Sequence, residues 1–469
     1  MEIIHISAEC YPVAKAGGLG DVVGSLPKYQ CKAGHIAKVV MPMYKTKFLY
    51  SNEFVVDFKG SAYLGNALFD FTIIKEKTNK LGFDLYLVEI IGLLDREKIY
   101  GYDDDTERFT AFQIAVVSWF NSWHHTPNVV HCHDHHTALI PFMMQHCLAF
   151  KNKLSKVPTI LTIHNAQYQG WMGWDKSIYI PAYDTWKQGQ LDWNDTINPL
   201  ASGIKCAWKV TTVSHSYMAE LRYNSNGLEK LFEYEKGKCY GILNGIDNDV
   251  WNPKTDTYIE HHFTFKSVTK GKQKNKAAIC EQFRLNPELP LFVFIGRLVG
   301  EKAADLLPAA IEAIMNSFYG QCSIIILGSG DPSVEWQLSN FNDRYKGFYY
   351  ADIGYNEALS HLLYAGADFL LMPSRVEPCG LNQMYSLRYG TLPIVRSTGG
   401  LQDTVKDMGE LDGFGIRFNN ASVEDIHYSA SRAISVFKDK KHFEWMRKYM
   451  MQIDHSWEET VAEYDRVYN

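Results

Sequence analysis

Short apolar runs rich in Val and Ile, each followed by a helical pattern, recur along the whole of this 469-residue chain. In the first half they read "EIIHIS", "IAKVVMP", "NVVHCHD", "TILTIH", "KVTTVS" and "CYGILN"; in the second, "LFVFIG", "CSIIILG", "GFYYADI", "FLLMPS" and "LPIVRS". A strand with one wet face alternates polar with apolar residues. These runs do not alternate, which is the pattern of strands covered on both faces of a parallel sheet. Strand–helix alternation of this regularity predicts α/β architecture with doubly wound sheets. A single core stops growing at about 250–300 residues, so two such domains are expected. The Asn-, Asp- and Pro-rich stretch "NGIDNDVWNPKTDTYIEHHF" separates the two series and has the composition of a linker. The expected division is residues 1–252, residues 253–450, and a segment 451–469 whose helix packs back on the first domain. The Lys-rich "KSVTKGKQKNKAA" that follows the linker reads as a solvated face.

Charge and cysteine usage narrow the function classes. With 53 acidic against 47 basic residues the net charge is −6, which disfavours a nucleic-acid or anionic-membrane partner. Nine cysteines occur without any C-x-x-C, which suits a reducing compartment rather than a disulfide framework. No apolar run reaches the ~18–20 residues of a membrane span, and the chain opens directly into a strand pattern. The expected location is the cytoplasm. Aromatic residues make up 14% of the chain, enough to fill a large core and also to face sugar rings.

Residues 15–27, "KAGGLGDVVGSLP", form a glycine-rich turn between an apparent strand and a helix. No Gly-Lys-Ser/Thr closes it, and its glycines lack the G-x-G-x-x-G spacing, so neither the P-loop nor the dinucleotide fingerprint applies. Bare backbone N–H groups at a helix start suit an anion, and Lys15 adds a point charge beside Gly18. Asp21 either complements the helix dipole or accepts from ligand hydroxyls. An ordinary tight turn is the alternative. "GGLGDVV" at 17–23 is echoed by "GGLQDTV" at 399–405.

Further candidates stand at strand ends. "GRLVGEK" carries Arg297 and Lys302, suited to phosphate oxygens or to a surface ion pair. In "PSRVEPCGLNQMYSLRYGTLPIVRSTGGL", Glu377 stands beside backbone suited to anions. It would repel one, so its task is a hydroxyl, a positive charge on a ligand, or structure. "HCHDHH" offers His131, His133 and His136 as metal ligands. A strand sends the first two to one face while the third lies in the next turn, so no metal centre is expected. Asp134 ends that strand. In "TIHNAQYQGWMGW", His164 and Asn165 end another, with Tyr168, Trp171 and Trp174 behind them, a set suited to sugar hydroxyls.

Across essentially its whole length the chain resembles the bacterial glycogen synthases and plant starch synthases. The likeness is carried in order by "KAGGLGDVVGSLP", "CHDHHTAL", "TIHNAQYQG", "TTVSHSYMAE", "GILNGID", "GRLVGEK", "IGYNEA" and the stretch around Glu377. It implies a GT-B type glycosyltransferase, two Rossmann-like domains with a deep cleft. The implied reaction transfers glucose, with retention, from a sugar nucleotide to the non-reducing 4-OH of an α-glucan. By the same resemblance Lys15 and Gly18 belong to the donor diphosphate site, with Asp21 beside it, and Arg297 and Lys302 hold the leaving diphosphate. His164 and Asn165 contact glucose, and Asp134 is the acidic position near the reacting carbon. Glu377 is the essential carboxylate, Cys379, Gly380, Leu381 and Asn382 turn around sugar and phosphate, and Tyr355 stacks on the base. Ala16 departs from the usual Thr of "KTGGL", Ala303 from a usual Gly, His135 from a common Trp and His215 from a frequent Pro. The expected partners are ADP-glucose, with UDP-glucose as the alternative, and an α-glucan acceptor; no metal or other cofactor is expected. A non-catalytic glucan-binding protein and a nicotinamide-dependent oxidoreductase are the rivals from other classes.

Overall fold

The computed structural model describes residues 1–469, which form two compact units, Met1–Asn244 with Trp457–Asn469, and Gly245–Ser456. The first unit holds strands β1 (Glu2–Ile6), β2 (Ile36–Pro42), β3 (Phe54–Leu64), β4 (Ala67–Glu76), β5 (Asp84–Glu89), β6 (Val129–His133), β7 (Thr159–Ile163), β8 (Asp192–Trp193), β9 (Thr196–Ile197), β10 (Lys209–Thr212) and β11 (Cys239–Gly241). One nine-stranded sheet runs β11-β10-β7-β6-β1-β2-β5-β4-β3, and β8–β9 form a separate ribbon. From β11 to β5 every neighbour is parallel, while β4 and β3 are antiparallel additions. β6 and β7 are buried along their whole length, which is why their sequences carry no alternation.

The long β3–β4 pair, which no uniform apolar run announced, has a different physics. β3 is half-exposed, with Val55, Val56 and Tyr63 on the surface, so its sequence mixes polar with apolar residues. On the other side of the unit, the helix Trp457–Tyr468 returns to the helix Gly18–Lys32. Trp457, Val461, Tyr464 and Tyr468 pack with Val22, Leu26 and Tyr29 over Ile3, Val129 and Ile160. Each large side chain buried there stabilises the contact by about 1.5–3 kcal/mol.

The second unit holds β12 (Leu291–Ile295), β13 (Ser323–Gly328), β14 (Tyr349–Ile353), β15 (Phe369–Met372), β16 (Leu392–Arg396) and β17 (Ile416–Phe418). Its sheet is wholly parallel in the order β14-β13-β12-β15-β16-β17. Alternate residues of the central strands serve two cores. Phe292, Phe294, Ile324 and Ile326 face one, and Val293, Ile325 and Leu327 face the other. The stretch after Gly245 is tied down by its own side chains: Trp251 stacks on His361 and Tyr385, and Asp256 accepts from His361 Nδ1 at 2.8 Å.

Both sheets reverse direction beside their first strand. β1 lies between β2 and β6, and β12 lies between β13 and β15. Loops leaving the carboxyl ends of strands at such a switch point diverge and leave a crevice. The segments after β1, β6 and β7, and those after β12, β14 and β15, are therefore where chemistry is to be sought in each unit.

Candidate active site

In the first unit the loop after β1 is organised by Glu9, a residue the sequence reading passed over. It is buried, and its Oε2 accepts the N–H groups of Ala16 at 2.6 Å and Gly17 at 2.9 Å. Tyr100 donates its hydroxyl to Oε1 at 2.8 Å. An acidic residue just past the carboxyl end of a buried strand was the available signal. Lys15 Nζ lies 2.7 Å from Asp21 Oδ1, closing the glycine turn with an ion pair. A Cβ added at Gly17 or Gly18 would meet nothing within 4 Å, whereas one at Gly24 would lie 2.4 Å from the Tyr11 carbonyl. Gly24 is demanded by packing; the first two glycines are not.

Asp134 follows β6 with a positive φ of 58° and an extended ψ of −177°, a backbone conformation that is uncommon outside glycine and concentrates at functional sites. The His164 N–H donates to its Oδ1 at 2.7 Å, joining the ends of β6 and β7. Burial pushes the Asp134 carboxyl up to about 7, and the charge of Glu9 adds to the effect. Burial also lowers His164 to about 3, so that ring is neutral at ordinary pH. Asn165 accepts the Gln167 N–H at 3.0 Å, turning the chain toward exposed Tyr168 and Trp171; Trp174 donates its indole N–H to Asp192.

The histidines of "HCHDHH" separate. His131 and His133 meet His5 rather than His136, which stacks on Tyr100 at 4.7 Å. Every ring nitrogen of the first three is already hydrogen-bonded: His5 to His133 and Gln30, His133 to His5 and His164, His131 to Tyr468 and Thr162. A metal ion there would have to displace these bonds inside a packed core. The donor set does not suit one.

In the second unit, β12 is followed by Gly296 and Arg297, whose side chain is 61% exposed and 3.5 Å from Glu301. Lys302 follows in a short 3-10 turn, and its Nζ lies 2.5 Å from Glu377 Oε2. Ser374 donates its hydroxyl to the same oxygen at 2.8 Å. Glu377 is only 6% exposed, and these two partners keep its carboxylate in place. Arg375, a neighbour the sequence reading did not single out, grips Asp305 with both terminal nitrogens at 2.5 and 2.8 Å. Ala303 is held at φ 54°, so the departure from glycine at this position costs about 1–2 kcal/mol of backbone strain.

The segment after Glu377 is shaped by close backbone approach. A Cβ at Gly399 would lie 2.1 Å from the Glu377 carbonyl, and one at Gly400 would lie 2.0 Å from that of Cys379. The Gly400 N–H donates to the Glu377 carbonyl at 3.1 Å. Gly380, at φ 73°, makes the turn, with buried Cys379 before it and Leu381 after it. Asn382 opens the next helix and donates from Nδ2 to the Ile295 carbonyl at 2.7 Å, tying that helix to the end of β12. Tyr355 lies after β14 and is 85% exposed. Lys302 and Glu377 thus meet directly, as do Asp134 and His164, and Lys15 and Asp21.

Residues 2–234 match the family model described as starch synthase catalytic domain, and residues 275–449 match glycosyl transferases group 1. The chain is 53% identical over 469 residues to the glycogen synthase of Flavobacterium johnsoniae, covering 100% of this chain and 99% of that protein. It is 36% identical over 487 residues to the glycogen synthase of Streptococcus gordonii, with the same coverage. Among solved structures, the catalytic domain of starch synthase IV from Arabidopsis thaliana, bound to ADP and acarbose, superposes with a TM-score of 0.89. That match has 30% identity and covers 99% of this chain and 98% of the other. Sucrose-phosphate synthase from Thermosynechococcus elongatus, at 15% identity and a TM-score of 0.64 over 100% and 98% of the two chains, shares the fold. Family models over both units and full-length likeness to named synthases lead to one conclusion: the chain belongs to the glycogen synthase and starch synthase family, glycosyltransferases of the GT-B fold.

Proposed function

We propose that the chain elongates an α-1,4-glucan in the cytoplasm, transferring glucose from ADP-glucose to the non-reducing 4-OH with retention of configuration. The observation that carries this reading is the loop set after β12 and β15. It offers an exposed guanidinium, a lysine and a buried carboxylate within one unit, the charges that departure of a sugar diphosphate calls for. As the bond from C1 to the diphosphate oxygen breaks, negative charge grows on phosphate, and Arg297 and Lys302 neutralise it. Positive charge grows on the sugar ring, and Glu377 is assigned to it. The 4-OH attacks C1 from the face the diphosphate leaves, and its proton passes to a departing phosphate oxygen.

In the first unit, Lys15 and Gly18 are assigned to the diphosphate, with Asp21 orienting Lys15. Asp134, His164 and Asn165 are assigned to the glucosyl group, and Cys379, Gly380, Leu381 and Asn382 to the turn around sugar and phosphate. Tyr355 is assigned to the base. The open space over Gly17 and Gly18 supports a ligand at that turn, because no protein atom needs those glycines. ADP in the Arabidopsis structure favours adenine over uracil as the donor base. No helix is long and apolar enough to cross a membrane, in keeping with the proposed compartment.

The test is incorporation of labelled glucose into glycogen from ADP-glucose and UDP-glucose in parallel. Faster incorporation from ADP-glucose is expected. Preference for UDP-glucose overturns the donor, and glycogen binding without incorporation from either reduces the protein to a glucan-binding module.

A further inference from the structure

Four buried histidines of the first unit, His5, His131, His133 and His164, belong to a single hydrogen-bonded file that ends at His164. Its Nε2 lies 3.0 Å from His133 Nδ1, His133 Nε2 lies 3.0 Å from His5 Nδ1, and His5 Nε2 lies 2.7 Å from Gln30 Oε1. Gln30 donates from Nε2 to the Tyr468 hydroxyl at 2.9 Å, and that hydroxyl lies 2.8 Å from His131 Nδ1. His131 Nε2 then meets Thr162 Oγ1 at 2.6 Å, which meets Thr211 Oγ1 at 2.6 Å.

A neutral imidazole has one donor and one acceptor nitrogen, so fixing one fixes the other. The Gln30 oxygen can only accept, so His5 donates from Nε2 and accepts at Nδ1. His133 must then donate from Nε2 and accept at Nδ1, and His164 must donate from Nε2. That leaves His164 Nδ1, which has no partner within the protein, as a bare lone pair. Turning the Gln30 amide over would reverse every bond in the file and make the same nitrogen a donor.

We propose that Gln30, held by Tyr468, is a positioning residue that sets the tautomer of His164 through His5 and His133. The site thereby presents an acceptor at Nδ1 that selects a hydroxyl of the glucosyl group. This deepens the assignment of His164 to the sugar and rests on it. Burial keeps the rings neutral, lowering His5 to about 4 and holding His133 well below the usual imidazole range, so the file stays uncharged at ordinary pH. Tyr468 stands on the helix that returns from the far end of the chain, which gives that helix a chemical task besides packing.

The direct test is nitrogen-15 NMR of the full-length protein labelled at histidine, since protonated and bare ring nitrogens of neutral imidazole resonate far apart. Protonated Nε2 with bare Nδ1 is expected at His5, His133 and His164; the opposite set at His164 overturns the proposal whatever the activity. Gln30→Leu is expected to give mixed tautomers at His164 and a fall in kcat of at least about threefold at unchanged folding, as judged by circular dichroism. Gln30→Glu, which still offers only an acceptor to His5, is expected to keep the tautomer and restore most of the rate. Tyr468→Phe, close in shape, is expected to loosen the tautomer as Gln30→Leu does. If Gln30→Leu leaves the His164 signals unchanged, Gln30 does not set the tautomer and the proposal fails. If the tautomers follow the mutations while the wild type transfers no glucose, the sugar assignment fails and the file stands.

Discussion

Under the proposed function Glu377 meets opposed demands, since a carboxylate beside the diphosphate assigned to Arg297 and Lys302 raises the cost of binding an anion. Its pairing with Lys302 and Ser374 reduces that cost in the resting protein. On that proposal the carboxylate acts when positive charge develops on the sugar. Glu377→Ala is accordingly expected to lower kcat by at least ~10²-fold with little change in donor KM. Steady-state kinetics on a normally folded variant decides it, and near-wild-type turnover leaves Glu377 a structural partner of Lys302. Asp134 yields a prediction about pH. Its carboxyl titrates at about 7 in the fold, above its unfolded value of about 4, so the folded state holds the proton more tightly. The stability this contributes is complete below pH ~4 and is lost as pH rises toward 7, with a slope of at most about 1.4 kcal/mol per unit. Asp134→Asn is therefore expected to gain urea resistance relative to wild type between pH 5 and 7.5. A pH-independent difference between the two proteins refutes it.

The two Gly-Gly-Leu turns look alike in sequence and differ in physical cause. At Gly399 and Gly400 a side chain collides with the backbone after Glu377, while at Gly17 and Gly18 it points into open space. Gly400→Ala is expected to lose about 1–3 kcal/mol or more in thermal unfolding, as overpacking does. Gly18→Ala, within a helix, is expected to be neutral or to gain up to ~1 kcal/mol, yet to raise donor KM severalfold; an unchanged KM removes the turn from the donor site. The same contrast marks what a sequence makes legible. Doubly buried strands announce themselves through unbroken apolar runs, so the parallel cores of both units could be read. β3 and β4 could not, because a half-exposed hairpin carries a mixed pattern. Arg297, Lys302 and Glu377 could be picked out by residue type at strand ends, and their motifs placed them in a family. Glu9, Gln30 and His5 could not, because their meaning depends on partners distant in sequence, such as Tyr100 and Tyr468.

Over the whole molecule, cations of the chain are assigned the charge neutralisation that a divalent ion supplies in other transferases. Prolonged chelation is expected to leave glucose transfer largely intact, measured before and after adding back single metals. Activity abolished by the chelator and restored by one metal overturns this and returns attention to His5, His131 and His133. The chain's path between units has its own consequence. The second unit is continuous from Gly245 to Ser456, but the first is closed only by residues beyond it, Trp457–Asn469. During synthesis, Ile3, Val129 and Ile160 wait for Trp457 and Tyr464 until the whole of the second unit has left the ribosome. At about 5–20 residues per second, that interval is on the order of ten to forty seconds. The half of the protein made first is thus the half finished last, and throughout that interval its uncovered apolar surface is a natural substrate for chaperones.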